Sequence, residues 1–249
     1  MAQKPVIYDE LSAPAAQAMI DGGMRMAIFP TGATEQHGPH LPLNVDYLCA
    51  YKIALGVSEH TGIPVFPPLP FGHSGGHAGL PATLSLRPET FQKVVEELCE
   101  WAYETGFRKI LFLNGHLPNI APLQCAIVNL RVKHTDFSLK ALSWWDITAD
   151  LQKKMYGDSS YGFPHGNIVE TSMLRYFRDD LVDMTKATPT QGQGKTTFFF
   201  YLLRQLSPTG HMGDPSKSTV ELGKQLYQMA VDGLVPQVKA ALKEEAPFP

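Results

Sequence analysis

Two short apolar runs, each ending in a turn, constrain the fold of this chain most strongly. The first, Met24-Arg-Met-Ala-Ile-Phe29, leads into a loop rich in Gly and Pro, and the second, Arg108-Lys-Ile-Leu-Phe-Leu113, leads into Asn-Gly-His116. Runs of this length and composition are typical of buried strands. They alternate with segments of helical spacing, which predicts a mostly parallel sheet covered by helices on both faces. The expected fold class is therefore a three-layer α/β/α sandwich.

The rest of the pattern follows the same alternation of helices and strands. A first helix is predicted over 9–22, with Asp9 or Ser12 as its cap, and further helices over 47–60, 88–105, 166–177 and about 216–244. Asn119 is predicted to cap a helix that reaches residue 133. Residues 137–145 and the first half of the Pro-rich segment 63–70 are predicted strands. The apolar sequence within 186–215 is expected to pack against the domain or against a neighbouring subunit, with His211 and Asp214 as turn residues.

Size and composition indicate one soluble domain. The 249 residues, taken here as a single domain over 1–249, carry a net charge of -3. That charge gives no reason to expect nucleic acid or an anionic membrane as partner. No apolar stretch has the length of a membrane span, and the first residues contain no signal-peptide core, so a cytoplasmic location is expected. Cys49, Cys99 and Cys125 are predicted to be reduced core thiols.

A short segment after the first strand concentrates metal-ligand chemistry. Between Thr31 and Asp46 the chain carries the carboxylates Glu35 and Asp46 and the imidazoles His37 and His40, interspersed with Gly and Pro. Carboxylate oxygen and imidazole nitrogen together suit Zn or Mn, and such sites also accept Fe or Co. Glu35 and His37 project to the same side of an extended segment. The alternative interpretation is a polar surface loop in which Gly and Pro only make turns.

Two further groups favour the metal site over the surface loop. Asn114-Gly-His116 directly follows the second strand, and His165-Gly-Asn-Ile-Val-Glu170 opens a predicted helix. The carboxyl ends of parallel strands meet at one edge of a sheet, so these groups are expected to converge there.

The residues from Thr31 to Asp46, Thr-Gly-Ala-Thr-Glu-Gln-His-Gly-Pro-His-Leu-Pro-Leu-Asn-Val-Asp, closely resemble the signature of the creatininase family of metal-dependent amidohydrolases. Further motifs of that family occur in the expected order, namely Phe71-Gly-His-Ser, Leu84-Ser-Leu-Arg-Pro-Glu-Thr90, Asn114-Gly-His116 and His165-Gly-Asn-Ile-Val-Glu-Thr-Ser172. The resemblance implies the same α/β/α fold, two divalent ions per subunit and a homo-oligomer, often a hexamer.

The resemblance also implies a role for each ligand. Asp46 matches the carboxylate that bridges the two ions, Glu35 and His116 match ligands of one ion, and His37 matches a ligand of the other. His40 and Gln36 are expected to support the site without binding metal.

One family ligand is missing from this chain. Creatininase has Tyr and Glu after Asn-Gly-His, and that Glu binds metal, whereas this chain has Leu117 and Pro118. A coordination position left open in this way must be filled by another acid, by water or by substrate. Glu170, which matches a supporting Glu near the metals, is the candidate replacement.

Substrate contacts are predicted for several aromatic and imidazole side chains. His73 and His77 are either substrate-facing or solvated loop residues. Trp144 or Trp145 matches an active-site Trp of creatininase, and Tyr161 stands where that enzyme has another Trp. Because positions 117, 118 and 161 all differ, creatinine itself is not the expected substrate.

The expected mechanism uses a hydroxide bridging the two ions to attack the carbonyl of a small, cyclic substrate. His165 is then expected to protonate the leaving atom, unless it only orders its loop by hydrogen bonding. Cleavage of a C–N bond is the first interpretation, and cleavage of a C–C bond in a cyclic ketone, such as a keto-cyclitol, is the second. The third is a non-catalytic binding or assembly protein with a structural metal, whose coordination would be closed.

Overall fold

A parallel sheet of three strands forms the centre of the molecule. The computed structural model describes residues 3–149, 165–190 and 198–246. Strands β1 (Met26–Thr31), β2 (Lys109–Asn114) and β3 (Ser138–Ser143) lie in the order β1-β2-β3. Thr31 pairs with Asn114, and Asn114 pairs with Ser143, so the three strands end level with one another. The loops that leave these ends therefore start from one edge of the sheet.

Alternate strand residues point to opposite faces of the sheet, and both faces are buried. Ile28 and Leu113 belong to one hydrophobic core, whereas Phe29 and Phe112 belong to the other. A parallel sheet covered on both faces has near-continuous apolar strands, which explains the unbroken apolar runs in the sequence. The predicted α/β/α sandwich is confirmed.

Two layers of helices cover the sheet. The helices are α1 (Ala13–Asp21), α2 (Val45–Thr61), α3 (Pro88–Thr105), α4 (Ile120–Lys133), α5 (Trp144–Ile147), α6 (Ile168–Arg178), α7 (Leu203–Leu206) and α8 (Val220–Lys243). Helices α2, α6 and α8 pack together in the first core, and α1, α3 and α4 supply the second. Among the described residues, no helix is both long and apolar enough to cross a membrane.

Several predicted boundaries differ from the structure. The strand predicted over 137–145 ends at Ser143, because Ser143 caps the short helix α5 through a reciprocal pair of hydrogen bonds with Asp146. The Pro-rich segment 63–70 makes isolated parallel bridges beside β1, through Val65 and Leu69, instead of a continuous strand. Its prolines have no N–H to donate, which interrupts the ladder.

The structure selects Ser12 over Asp9 as the cap of the first helix, and it corrects two other predictions. Ser12 caps α1, and its oxygen accepts from the Ala15 N–H, whereas Asp9 belongs to a separate 3-10 turn. Asn119 makes no side-chain cap. Cys49 and Cys99 are buried as predicted, but Cys125 is exposed.

Candidate metal centre

The ends of β1 and β2 press against the first turn of α2 and so place Asp46. A Cβ added to Gly32 would collide with the backbone nitrogen of Tyr47, and one added to Gly115 would collide with the backbone oxygen of Asp46. Only glycine permits an approach this close. The carboxylate of Asp46 is thereby held beside the loops that carry Glu35 and His116, at the level edge of the sheet.

Glu35, Asp46 and His116 form the centre of a buried polar cluster. The Nδ1 atom of His116 lies 2.9 Å from Asp46 Oδ2 and 3.4 Å from Glu35 Oε1. The Nε2 atom of His37 lies 3.0 Å from Asp46 Oδ1. Glu35, Asp46 and His116 form one group with the spacing to hold a metal ion. His37, His165 and Glu170 form another. The predicted convergence of three separate segments is therefore present.

Backbone carbonyls orient three of the imidazoles. In each ring one nitrogen faces a carbonyl oxygen, at 2.8 to 3.1 Å, while the other nitrogen faces the carboxylates. A carbonyl can only accept, so the nitrogen that faces it carries the hydrogen. The three pairs are His37 Nδ1 with Glu35 O, His116 Nε2 with His73 O, and His165 Nε2 with Gln36 O. In the neutral rings the remaining lone pairs point into the cluster, which is the arrangement of metal-binding histidines.

Two carboxylate oxygens lack a directed partner. Among the described residues, no hydrogen bond reaches Glu35 Oε2 or Asp46 Oδ2, although both atoms are buried. The short contact from His116 to Asp46 Oδ2 is not aligned as a hydrogen bond. Buried carboxylate oxygens without partners are costly unless a cation compensates them. The donor set, imidazole nitrogen with carboxylate oxygen, fits a divalent transition metal.

The ionisation of the metal-free cluster shows how strongly its groups interact. Burial alone would raise the pKa of Glu35, but the neighbouring His116 more than offsets this and lowers it to about 2. Burial alone would lower the pKa of His37, but the Asp46 carboxylate raises it to about 9. Protons therefore occupy the space between imidazole and carboxylate when no cation does. Metal binding must displace them.

Glu170 has the opposite shift. Burial raises its pKa to about 7, with His37 only partly opposing the effect. Its Oε2 accepts a 2.6 Å hydrogen bond from the Gly166 N–H. A buried carboxyl near neutrality can ionise when a cation binds beside it, so the residue is chemically suited to replace the ligand lost at Pro118.

The predicted substrate residues separate into those within the cluster and those outside it. His77 lies inside, with Nε2 3.6 Å from Glu35 Oε1. His73 turns away, and its Nδ1 lies 3.2 Å from the backbone oxygen of Leu86.

Two of the aromatic candidates, Trp144 and Trp145, lie in or against a hydrophobic core. Trp144 is buried in the first hydrophobic core, and the partly buried Trp145 packs against that core. That one of them lines the site stays a prediction. Tyr161 lies outside the described residues.

The sequence predicts only a structural role for Gln36. The structure places this residue between the polar cluster and the loop that carries Gly210. Its Nε2 donates to the Gly210 carbonyl at 2.7 Å and lies 3.3 Å from His77 Nδ1. His40, expected to be supporting, contacts Thr171 beside Glu170. His211 is buried against Gly38 and His40 and is more than the turn residue expected from sequence, whereas Asp214 does form a turn with Ser216. No motif in the sequence identified the Gln36 and His211 contacts, because their partners are more than 20 residues away.

A parallel α/β/α sheet with carboxylates and oriented imidazoles at its carboxyl edge defines the class of metal-dependent hydrolases. The chain belongs to the creatininase family, since the family model described as creatinine amidohydrolase matches residues 9–238. It is accordingly a hydrolase of the metal-dependent amidohydrolase type.

Curated relatives cover most of the chain. Creatinine amidohydrolase of Pseudomonas putida is 28% identical over 263 residues, covering 98% of each chain. The mycofactocin precursor peptide peptidase of Mycolicibacterium smegmatis is 30% identical and covers 86% of this chain and 84% of its own. The 3-dehydro-scyllo-inosose hydrolase of Thermotoga maritima is 28% identical over 68% of this chain and 55% of its own.

Solved structures share the fold. A creatinine amidohydrolase matches with a TM-score of 0.88 at 26% identity, covering 98% of this chain and all of the other. Matches also include a mutant creatininase of the Zn-Zn type, with a TM-score of 0.82 at 26% identity over 97% of this chain and 100% of its own.

Proposed function

We propose that this chain binds two divalent ions, Zn or Mn, and hydrolyses the C–N bond of an amide in a small molecule. The observation that carries the proposal is the set of three imidazoles whose carbonyl-bound nitrogens turn the other ring nitrogen toward buried carboxylates. Glu35, Asp46 and His116 would hold one ion. His37, Asp46 and Glu170 would hold the other, with Asp46 shared.

The two ions, when bound, supply a water acidified to near neutrality and a Lewis acid for the substrate carbonyl. The chain itself holds the reacting groups in place and excludes bulk water, since the side chains of Glu35, His37, Asp46 and His116 are at most 3% exposed. Hydrolysis adds the hydroxyl of water to the carbonyl carbon and its proton to the leaving nitrogen.

His165 is the residue assigned to proton transfer. Its Nε2 is held by the Gln36 carbonyl, which leaves Nδ1 as the free base, 3.7 Å from Glu35 Oε1. Burial and the neighbouring His37 keep the pKa of His165 well below its usual range. Nδ1 is thus free to take a proton during attack and to return it to the leaving nitrogen.

Creatinine is not the substrate proposed here. Leu117 and Pro118 begin a 3-10 turn after His116, where neither side chain can bind a metal or donate a proton. Pro118 thus removes one ligand of the family pattern, for which Glu170 is the proposed replacement, and Leu117 removes the family's tyrosine hydroxyl. That the substrate is cyclic, as expected from the family, stays a prediction.

Hydrolysis of a panel of cyclic and open-chain amides, followed by release of ammonia or amine, tests the proposal. The zinc- or manganese-loaded protein is expected to release nitrogen product, and the chelated protein to release none. His165→Asn should lose at least about 100-fold in kcat, since general acid–base catalysis contributes about that much. Equal rates with and without metal would overturn the proposal.

A second candidate is C–C hydrolysis of a cyclic ketone. The similarity to an inosose hydrolase favours it, and the same cluster would serve a ketone carbonyl. A panel of keto-cyclitols distinguishes the two, because an acid product without ammonia or amine indicates C–C cleavage.

A further inference from the structure

Two imidazoles of the cluster are partly accessible in the described part of the structure. The side chains of His77 and His165 are 9% and 12% exposed, whereas those of Glu35, His37, Asp46 and His116 are nearly sealed. The rings of His77 and His165 meet edge to face, with centroids 4.7 Å apart. These two rings, with the partly exposed Glu170, are the accessible part of the cluster among the described residues.

An exposed aromatic segment, Phe198–Tyr201, lies beside the turn that carries His77. Phe198, Phe199 and Phe200 are 94%, 68% and 82% exposed. The sequence predicts packing of this apolar run against the domain or a second subunit; Leu203 at its end is buried in the domain, whereas these three rings are largely exposed. A Cβ on Gly76, the residue before His77, would meet only the Phe200 ring, at 3.7 Å. The Phe200 ring therefore lies directly beside the turn that carries His77, with room for no more than a methyl group between them.

An unpaired cation adjoins the same turn. Helix α7, which follows the aromatic segment, packs against the turn Gly75–His77. The Arg204 side chain of α7 lies over Gly79, where a Cβ would be 3.0 Å from its Nε and Nη1 atoms. Gly79 is two residues beyond His77, so their Cα atoms are at most about 7.6 Å apart. Arg204 makes no ion pair or hydrogen bond with any residue in the described part of the chain.

An exposed guanidinium beside exposed rings suits a ligand with matching chemistry. Arginine binds carboxylate in a bidentate geometry, and aromatic rings bind apolar and aromatic groups. Both features flank the turn that carries His77, one of the partly accessible imidazoles of the cluster. A substrate whose amide reaches the cluster would extend its substituents toward them.

We propose that Phe200 and Arg204 select amides that carry an aromatic or branched apolar group together with a carboxylate, as in an N-acyl derivative of an apolar amino acid or a short peptide ending in one. The proposal rests on the amide hydrolysis proposed above. Arg204 binds the carboxylate, Phe200 packs on the apolar group, and the scissile amide lies past His77 and His165.

Binding of 3-phenylpropanoate to the zinc-loaded protein, measured by calorimetry, tests the selection without requiring turnover. The wild type is expected to bind 3-phenylpropanoate at least about tenfold tighter than 3-phenylpropanamide or propanoate. Of the three compounds, only 3-phenylpropanoate carries both a carboxylate and a phenyl group. Arg204→Ala should remove the preference for the carboxylate, and Phe200→Ala the preference for the phenyl group. Lys224→Ala, which removes an exposed cation on α8, is the matched control and should bind as wild type does.

Unchanged binding in Arg204→Ala overturns the proposal, because the carboxylate would then be held by the metal alone. Equal hydrolysis of N-acetylphenylalanine, its neutral amide and N-acetylglycine also overturns it, while leaving the proposed function standing. Arg204-dependent binding without hydrolysis of any amide supports the selection and contradicts the proposed function.

The aromatic segment has a second possible partner, another copy of the chain. Sedimentation of Phe200→Ser beside wild type distinguishes the two. A smaller assembly with unchanged affinity for 3-phenylpropanoate assigns Phe200 to a subunit interface and overturns its part in selection. An unchanged assembly with weakened affinity supports it.

Discussion

At the scale of single residues, the two nitrogens of one imidazole have separate tasks. His37 donates through Nδ1 to the Glu35 carbonyl, and Nε2 faces Asp46 at 3.0 Å. The carbonyl fixes the ring, so the lone pair or proton at Nε2 always points at the carboxylate. In the metal-free protein a proton fills that position, which is why the pKa of His37 is raised to about 9.

The raised pKa predicts a pH-dependent stability for the metal-free protein. A histidine titrates near 6.5 when unfolded, so the stabilisation is complete below pH 6.5 and is lost as pH rises through about 9. The free energy of unfolding should fall by about 2–3 kcal/mol over this window. Urea unfolding in chelator at pH 6 to 9.5 measures it. Asp46→Asn, which removes the partner carboxylate, should flatten the curve, and a wild-type curve as flat as that of the variant would refute this origin.

At the scale of elements, close backbone contacts fix the helices around the sheet. Gly223 of α8 packs against the backbone oxygen of Ser172 in α6. Helix backbones approach this closely only where one of them lacks a side chain. The contact joins the helix that carries Glu170 to the long C-terminal helix.

Gly223→Ala is therefore expected to destabilise the protein. An alanine in an unconstrained helix would stabilise it by about 0.5–1 kcal/mol, but here the Cβ meets backbone, and overpacking costs about 1–3 kcal/mol. Gly233→Ala in the same helix is the comparison, because its Cβ would meet a side-chain methyl group of Ile147 and no backbone atom of another element. Chemical denaturation should rank wild type above Gly233→Ala and Gly233→Ala above Gly223→Ala. A stabilised Gly223→Ala would contradict the packing.

How far the sequence predicts the elements depends on how local the determining contacts are. The apolar runs of β1 and β2 are recognisable because both faces of the sheet are buried, and α3 begins and ends where Pro88 and Gly106 indicate. The sequence predicts that β3 continues to residue 145, but the strand ends at Ser143, because the hydrogen bond between Ser143 and Asp146 starts a helix there. The exposed Phe198–Phe200 could not be placed from hydrophobicity, because an apolar run does not reveal which surface it meets.

For the candidate site too, what can be predicted from the sequence depends on how local the contacts are. Candidate ligands that follow a strand, such as His116, can be predicted because parallel strand ends converge. The link from Gln36 to Gly210 spans 174 residues, and no spacing in the chain records it.

At the scale of the whole molecule, metal binding and folding are coupled. The cluster draws on three loops at the sheet edge, so it exists only in the folded chain. At a free metal concentration about 100 times Kd, each ion stabilises the fold by about 2.7 kcal/mol. Chelation should therefore lower Tm by about 5–10 °C per ion for a chain of this size. Differential scanning calorimetry with and without chelator measures it, and an unchanged Tm would be inconsistent with ions held by this cluster.

The metal content per chain tests the central claim most directly. Mass spectrometry of metal in the reconstituted protein should find about two ions in wild type and in the exposed control Glu97→Ala. Asp46→Ala should hold sharply fewer, since the shared carboxylate is gone, and Glu170→Ala should lose one ion, provided that circular dichroism shows each variant folded. Two ions retained in Asp46→Ala, or none in wild type, would contradict the shared site. Two retained in Glu170→Ala would remove Glu170 alone from the ligand set.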